Sequence, residues 1–294
     1  MIPQTVDEVL GALGRQRYIA DRGLAMAIHL ALQLGRPLFL EGEAGVGKTE
    51  VGKVLAAILG EELIRLQCYE GLDVNHALYE WDYARQMLAI RLLEAHGAGE
   101  RADAKDIMSR DYLVARPLLQ AIERAAGGRR PVLLIDELDR ADEEFEAYLL
   151  ELLSDFQVTI PEIGTIAAQQ PPVVVITSNR TREIHDALKR RCIYHWIDYP
   201  HFAREVAIVL GKVPGISEAL AGELARAMER LRELDLFKPP GVAETLDWAA
   251  ALTVLGKEHL EAAVVEDTLG VVLKYQEDVS RVRSLGPERL LASA

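Results

Sequence analysis

The sequence predicts an α/β fold: a mostly parallel sheet core covered on both faces by helices, followed by a small all-helical C-terminal domain. Two observations carry this. Short apolar runs recur at residues 38–40, 63–66, 132–135, 173–176 and 193–197, with amphipathic or turn-rich stretches between them. Strands alternating with helices are the signature of a parallel sheet buried on both sides. Strand signals then stop after Pro200, and only helical spacing follows.

Each element has a local reason. Residues 5–34 read as helical, because Val9, Leu10, Leu13, Leu24, Ala27, Ile28, Ala31 and Leu34 recur at helical spacing. Gly35-Arg36-Pro37 stops that pattern, residues 38–40 form the first strand, and 51–59 form a helix. The stretch 95–110 breaks the rhythm: His96-Gly97-Ala98-Gly99-Glu100-Arg101-Ala102-Asp103 is small and polar and reads as a surface loop or insertion. Residues 116–126 return to helix, and Gly127-Gly128 ends it. Phe156-Gln157-Val158-Thr159-Ile160 alternates strictly, Pro161-Glu162-Ile163-Gly164 turns, and Thr165-Ile166-Ala167 returns, which predicts a β-hairpin. Residues 202–210, 217–234, 242–255 and 258–279 read as helices, separated by Pro214-Gly215 and Pro239-Pro240-Gly241 among other breaks. The boundary is placed near Tyr199, giving domains 1–199 and 200–294.

The 294 residues are enough for about two domains. The net charge of −13, from 46 acidic and 33 basic residues, argues against nucleic acid as the main partner, since phosphate backbones need a concentrated basic surface. Cys68 and Cys192 are the only cysteines, which suits a reducing compartment and gives no disulfide framework. No basic-then-apolar leader is visible at the N-terminus, and the most apolar helix, 24–34, is too short to span a bilayer and carries His29 and Gln33. These features predict a cytoplasmic protein without membrane insertion.

The most informative segment is Gly42-Glu43-Ala44-Gly45-Val46-Gly47-Lys48-Thr49, which fits G-x-x-x-x-G-K-S/T between a strand and a helix. Glycines let backbone N–H groups curl around phosphates, and the helix N-terminus adds its positive end. Lys48 is expected to pair with the β- and γ-phosphates of ATP, and the Thr49 hydroxyl to ligate Mg²⁺. Val132-Leu133-Leu134-Ile135-Asp136-Glu137 is a buried strand ending in two carboxylates. Side chains alternate along a strand, so Asp136 can hold Mg²⁺ through water while Glu137 polarises a water for attack on the γ-phosphate. Val173-Val174-Val175-Ile176-Thr177-Ser178-Asn179 ends in polar groups; Asn179 is preferred for orienting that water, with Thr177 and Ser178 read as satisfying the turn. Lys189-Arg190-Arg191 either complements a helix C-terminus or supplies an arginine finger to a neighbour's nucleotide.

Together these motifs resemble the AAA+ ATPases, and within them the MoxR branch, over nearly the whole chain. Gly42 to Thr49 matches Walker A and Leu133 to Glu137 matches Walker B. Asp136-Glu137-Leu138-Asp139-Arg140-Ala141 is similar to the branch's D-E-x-x-R-A stretch. The resemblance implies sensor 1 at Asn179 and the finger at Arg191, with Arg190 the near miss. It places a pre-sensor 1 hairpin at about 156–167, a P-loop NTPase core and a helical lid. Lys238-Pro239-Pro240-Gly241-Val242-Ala243-Glu244-Thr245-Leu246-Asp247-Trp248 looks most like CoxD-type members. That likeness implies a von Willebrand A domain partner and a client metalloenzyme, and the family's arrangement implies a hexameric ring. One departure is visible: many relatives carry a sensor 2 arginine at the start of this lid helix, and residues 238–248 contain none. Lys238 is a candidate substitute or a solvated helix-start lysine. The competing functions are a nucleotide-gated scaffold with little turnover and a DNA-handling motor. Glu137, Asn179 and Arg191 favour hydrolysis over the scaffold, and the net charge disfavours the motor.

Overall fold

The structure is a computed structural model describing residues 2–95 and 107–291. Residues 96–106, most of the loop predicted at 95–110, lie outside the described residues. The chain opens with two helices, α1 (Val6–Arg15) and α2 (Arg22–Leu34). The sequence predicts one helical stretch here. The break comes at Arg17, whose φ of 57° is left-handed, and at Asp21, whose carboxylate accepts the Leu24 N–H at 2.7 Å and caps a new helix.

The α/β part continues through β1 (Leu38–Gly42), α3 (Lys48–Leu59), β2 (Leu63–Gln67), α4 (Val74–Leu78), β3 (Tyr79–Trp81) and α5 (Tyr83–Ala95). Then come β4 (Leu113–Ala115), α6 (Pro117–Ala126), β5 (Val132–Asp136), α7 (Glu143–Asp155), β6 (Gln157–Ile160) and β7 (Gly164–Ala167). The last members are β8 (Val173–Ser178), α8 (Asp186–Lys189) and β9 (Ile193–Ile197). Five strands form one parallel sheet in the order β2-β5-β8-β1-β9. The central three, β1, β5 and β8, are buried along their full length.

Strand alternation divides the core between the two faces. Leu38, Leu40, Leu134 and Val175 join Leu13, Ile28 and Leu55 of α1, α2 and α3. Phe39, Leu133, Ile135 and Ile176 join Leu118 and Ile122 of α6 and Phe145 and Leu149 of α7. β6 and β7 pair antiparallel, with Val158 opposite Ile166, and bury Val158 and Ile160 against the second face. A further antiparallel pair, β3 with β4, is three residues a side and too short for periodicity to reveal.

The C-terminal part is helical: α9 (Phe202–Lys212), α10 (Glu218–Glu233), α11 (Val242–Val254), α12 (Ala262–Val272), α13 (Gln276–Leu285) and α14 (Glu288–Leu291). It has its own core around Trp248, Met228, Leu231 and Leu269, and the Trp248 indole N–H is satisfied by Thr268 Oγ1 at 2.8 Å. The helix predicted over 258–279 is in fact α12 and the start of α13. Leu273 turns extended and buries itself, and the buried Asp278 accepts the N–H groups of Phe237 and Lys238, at 2.7 and 3.2 Å.

Candidate nucleotide site

In a parallel sheet the loops leaving strand C-termini gather at one end. Here that end collects the loops after β1, β5 and β8. The chain leaves β1 at Gly42, where φ is 156° and a Cβ would stand 2.2 Å from the Ile197 carbonyl oxygen, so a side chain is excluded. The loop then curls into α3. Lys48, only 6% exposed, donates from Nζ to the carbonyls of Gly42 and Glu43 at 2.7 and 2.6 Å. Burial pushes its ammonium down to about 8, against the opposing pull of Asp139, Glu43, Asp136 and Glu137.

Thr49 Oγ1 donates to Asp136 Oδ1 at 2.8 Å, joining the glycine-rich loop to the end of β5. Asp136 is 1% exposed and fully engaged: Oδ1 also accepts from Thr177 Oγ1 at 2.7 Å, and Oδ2 accepts from Arg65 Nε at 3.0 Å. Thr177 Oγ1 in turn accepts the Glu137 N–H at 2.9 Å. Glu137 has a φ of 57°, a left-handed conformation that costs a non-glycine residue roughly 1–3 kcal/mol and that concentrates at functional sites. The adjacent carboxylates consequently have separate partners. Asp136 points to Thr49, while Glu137 Oε2 lies 3.1 Å from Arg140 Nε.

Asn179 follows β8. Its N–H donates to Asp139 Oδ1 at 3.1 Å, and its side-chain amide takes no hydrogen bond among the described residues. Asp139, 3% exposed, also accepts from the Thr181 N–H at 2.9 Å and the Thr181 hydroxyl at 2.7 Å. It thereby ties the turn after β5 to the turn after β8. The structure thus brings Lys48, Thr49, Asp136, Glu137 and Asn179 to one end of the sheet. Arg191 is elsewhere. It precedes β9, whose first residue, Ile193, pairs with Leu38 at the N-terminal end of β1. Its side chain is exposed, and its carbonyl is held by Arg36 Nε at 3.0 Å. Arg190 is exposed beside it, its carbonyl bonded by Arg36 as well.

Sequence reasoning missed Arg65, Thr177 as a bridge, and Asp139. The signals were faint: an arginine inside an apolar strand, a hydroxyl at a strand end, and an acid beside the buried Leu138. Thr177 does satisfy a backbone N–H, as expected, but it also holds the Asp136 carboxylate.

Beside the loop lies a cavity of about 280 Å³. Tyr18, Ile19 and Val46 wall one side, and Ile208, Val242 and Leu246 of the helical part wall the other. Lys212 Nζ reaches Glu50 Oε1 across it at 3.1 Å, and Arg204 Nε bonds the Ile19 carbonyl at 3.0 Å. Lys238 does not line it: its side chain is exposed. Arg204 and Lys212 are the cations that the helical part presents there. For a metal, Thr49 Oγ1 and Asp136 Oδ1 are hard oxygen donors side by side, a donor set whose chemistry fits Mg²⁺. No group of three or more His, Cys, Asp or Glu side chains disposed to hold a metal occurs among the described residues.

A parallel sheet with a glycine-rich loop after β1 and an acidic end on β5 defines a P-loop nucleoside triphosphatase. Residues 37–192, more than half of the chain, match the AAA domain of the dynein-related subfamily, and the chain belongs to that family. Its members are ATPases that typically form oligomeric rings. Similar solved structures include a variant of Thermotoga maritima RuvB, 20% identical over 95% of this chain and 76% of that one, with a TM-score of 0.48. The RuvB Holliday junction branch migration motor of the same organism is 18% identical over 92% and 72%, with a TM-score of 0.45. A candidate ATPase from Cytophaga hutchinsonii is 15% identical over 97% and 93%, with a TM-score of 0.47. The search of curated proteins returns no match. Among the described residues, no helix is long and apolar enough to cross a membrane.

Proposed function

We propose that this chain is a Mg²⁺-dependent, cytoplasmic ATPase of the MoxR type, similar to its CoxD-like members. It acts as a hexameric ring that remodels a client metalloenzyme beside a von Willebrand A domain partner. In this reading residues 1–199 are the nucleotide-binding core, with its pre-sensor 1 hairpin at about 156–167, and residues 200–294 are the lid. The observation that carries the hydrolytic reading is the Thr49–Asp136–Thr177 bridge, which joins the glycine-rich loop, β5 and β8 around a buried carboxylate. The D-E-x-x-R-A stretch and the β6–β7 hairpin support the branch.

The residues divide the work. Backbone N–H groups from Gly42, Glu43, Ala44, Gly45, Val46 and Gly47 cradle the phosphates, and Lys48 exchanges its two loop carbonyls for β- and γ-oxygens. Thr49 and Asp136 would hold Mg²⁺, which would supply charge neutralisation at the phosphates. Glu137 leaves Arg140, accepts a proton from the attacking water, and directs its oxygen to the γ-phosphorus. The bond to the bridging oxygen breaks, and ADP departs with the electron pair. Asn179 orients the water, and Arg191 serves a neighbouring subunit's nucleotide. The apolar cavity beside the loop suits the nucleobase.

Glu137→Gln tests this reading. The amide preserves shape but cannot take the proton, so ATP should bind normally while turnover falls about 10²–10⁴-fold, the usual weight of a general base. Turnover at the wild-type rate would remove Glu137 from the role.

A further inference from the structure

The helical part touches the glycine-rich loop directly. Gly241 has an ordinary φ of −86°, so backbone conformation does not require glycine there. Proximity does. An added Cβ would lie 2.6 Å from the Ala44 carbonyl oxygen and 2.9 Å from Gly45 Cα, both backbone atoms. Two residues on, the Ala243 N–H donates to the Gly45 carbonyl at 3.1 Å. Glu244 Oε2 accepts the Gly241 N–H at 2.9 Å and fixes this first turn of α11.

Behind the contact stands a buried ion pair. Arg232 grips Glu205 with both Nη atoms, at 2.6 and 2.7 Å, and donates from Nε to the Pro240 carbonyl at 2.8 Å. Glu205 also accepts the Thr245 hydroxyl at 2.6 Å, and the guanidinium lies 4.7 Å from the centre of the Tyr199 ring, where the sheet part meets the helices. A buried pair of this kind adds little net stability over apolar side chains of equal volume. What it does here is fix residues 240–245 against Tyr199, and so against the loop.

We propose that the helical part holds the phosphate-binding loop in its binding shape through this backbone contact, with Gly241 and Arg232 as positioning residues. The inference rests on the loop's being the phosphate site. It differs from sensing of the γ-phosphate by a side chain, because the contact is made to the loop itself. Its loss adds the same reorganisation cost for every nucleotide whose phosphates the loop cradles. ADP and ATP must therefore lose affinity by one common factor, while turnover at saturating ATP changes far less.

The test uses full-length Gly241→Ala and measures Kd for ADP and ATP, kcat, and the unfolding midpoint. Gly270→Ala, an exposed helical position with nothing within 4 Å, is the control. Overpacking a tight contact by one methyl predicts that both Kd values rise by about tenfold or more, in a protein that still unfolds cooperatively well above the assay temperature, with a midpoint below that of the control. Arg232→Lys keeps the charge but loses the fork, and should shift both Kd values in the same direction by less. Unchanged affinities in folded Gly241→Ala overturn the proposal, and so does weakened ATP binding with ADP spared. If Gly241→Ala does not fold, Arg232→Lys decides by the same comparison. Lys48→Ala is run in parallel: if it binds ATP undiminished, the phosphate-site reading itself has failed.

Discussion

The two ends of the five-stranded sheet are built on opposite plans. At the C-terminal end Asp136 and Asp139 are buried and saturated with hydrogen bonds, Lys48 is sealed under its own loop, and Glu137 stands in a left-handed conformation. At the N-terminal end, before β9, Arg190 and Arg191 are exposed; Arg36 holds their carbonyls, and the Arg191 guanidinium makes one long contact, from Nη1 to the Ala187 carbonyl at 3.4 Å. A site that must place phosphates and a water at the moment of reaction is preorganised in advance. An exposed arginine held by a single long hydrogen bond can be redirected at little cost, as the proposed reach into a neighbouring subunit requires. In the proposed function, one half of the catalytic apparatus is therefore interior and the other half lies on a surface.

Arg191→Ala should break the comparison most visibly. A finger acting in trans is worth ~10³–10⁵ in rate, so turnover should fall by that order while ATP affinity stays near wild type. Steady-state kinetics beside a direct binding measurement separate the two. A loss of binding instead would return Arg191 to a structural role. The next largest effect is on the interior. Lys48→Ala removes a charge-assisted phosphate contact of roughly 1.5–3 kcal/mol, so ATP affinity should drop by one to two orders of magnitude in a folded protein. Titration calorimetry reads this directly.

The smallest effect sharpens the meaning of burial. Lys48 is held down to about 8 from an ordinary 10.5. Between those values the unfolded chain binds more protons than the folded one, so the Lys48 contribution to stability rises with pH across that window, and below it the full cost of burying the charge remains. Phosphate favours the charged form. ATP binding at pH 8.5 should therefore take up protons, and affinity should weaken as pH climbs above 8. Calorimetry in two buffers of different ionisation heat measures the uptake, and none would show that Lys48 is already charged in the free protein.

Much of this was legible in the sequence, and what was not has physical causes. The five strands stood out because they are buried apolar runs, and the Gly42–Thr49 loop because its chemistry needs a particular spacing. The split between α1 and α2 was hidden because the apolar residues keep helical spacing on both sides of Asp21, whose capping is a local event. The break before α13 depends on Asp278 reaching across to the N–H groups of Phe237 and Lys238. Asp139 and Arg65 were unreadable for the same reason: each is a charged residue whose partners lie far along the chain. Periodicity reports which face is apolar; it carries no information on which polar groups meet.

The central claim is that one active site is assembled from two subunits, and mixing two inactive variants tests it most directly. Lys48→Ala lacks the phosphate grip but keeps Arg191, and Arg191→Ala has the reverse defect. In mixed rings some interfaces pair an intact loop with an intact arginine, so the mixture should recover ATP hydrolysis that neither variant shows alone. Co-assembly without any recovered hydrolysis would contradict the account, placing Arg191 in its own subunit's site or outside the reaction altogether.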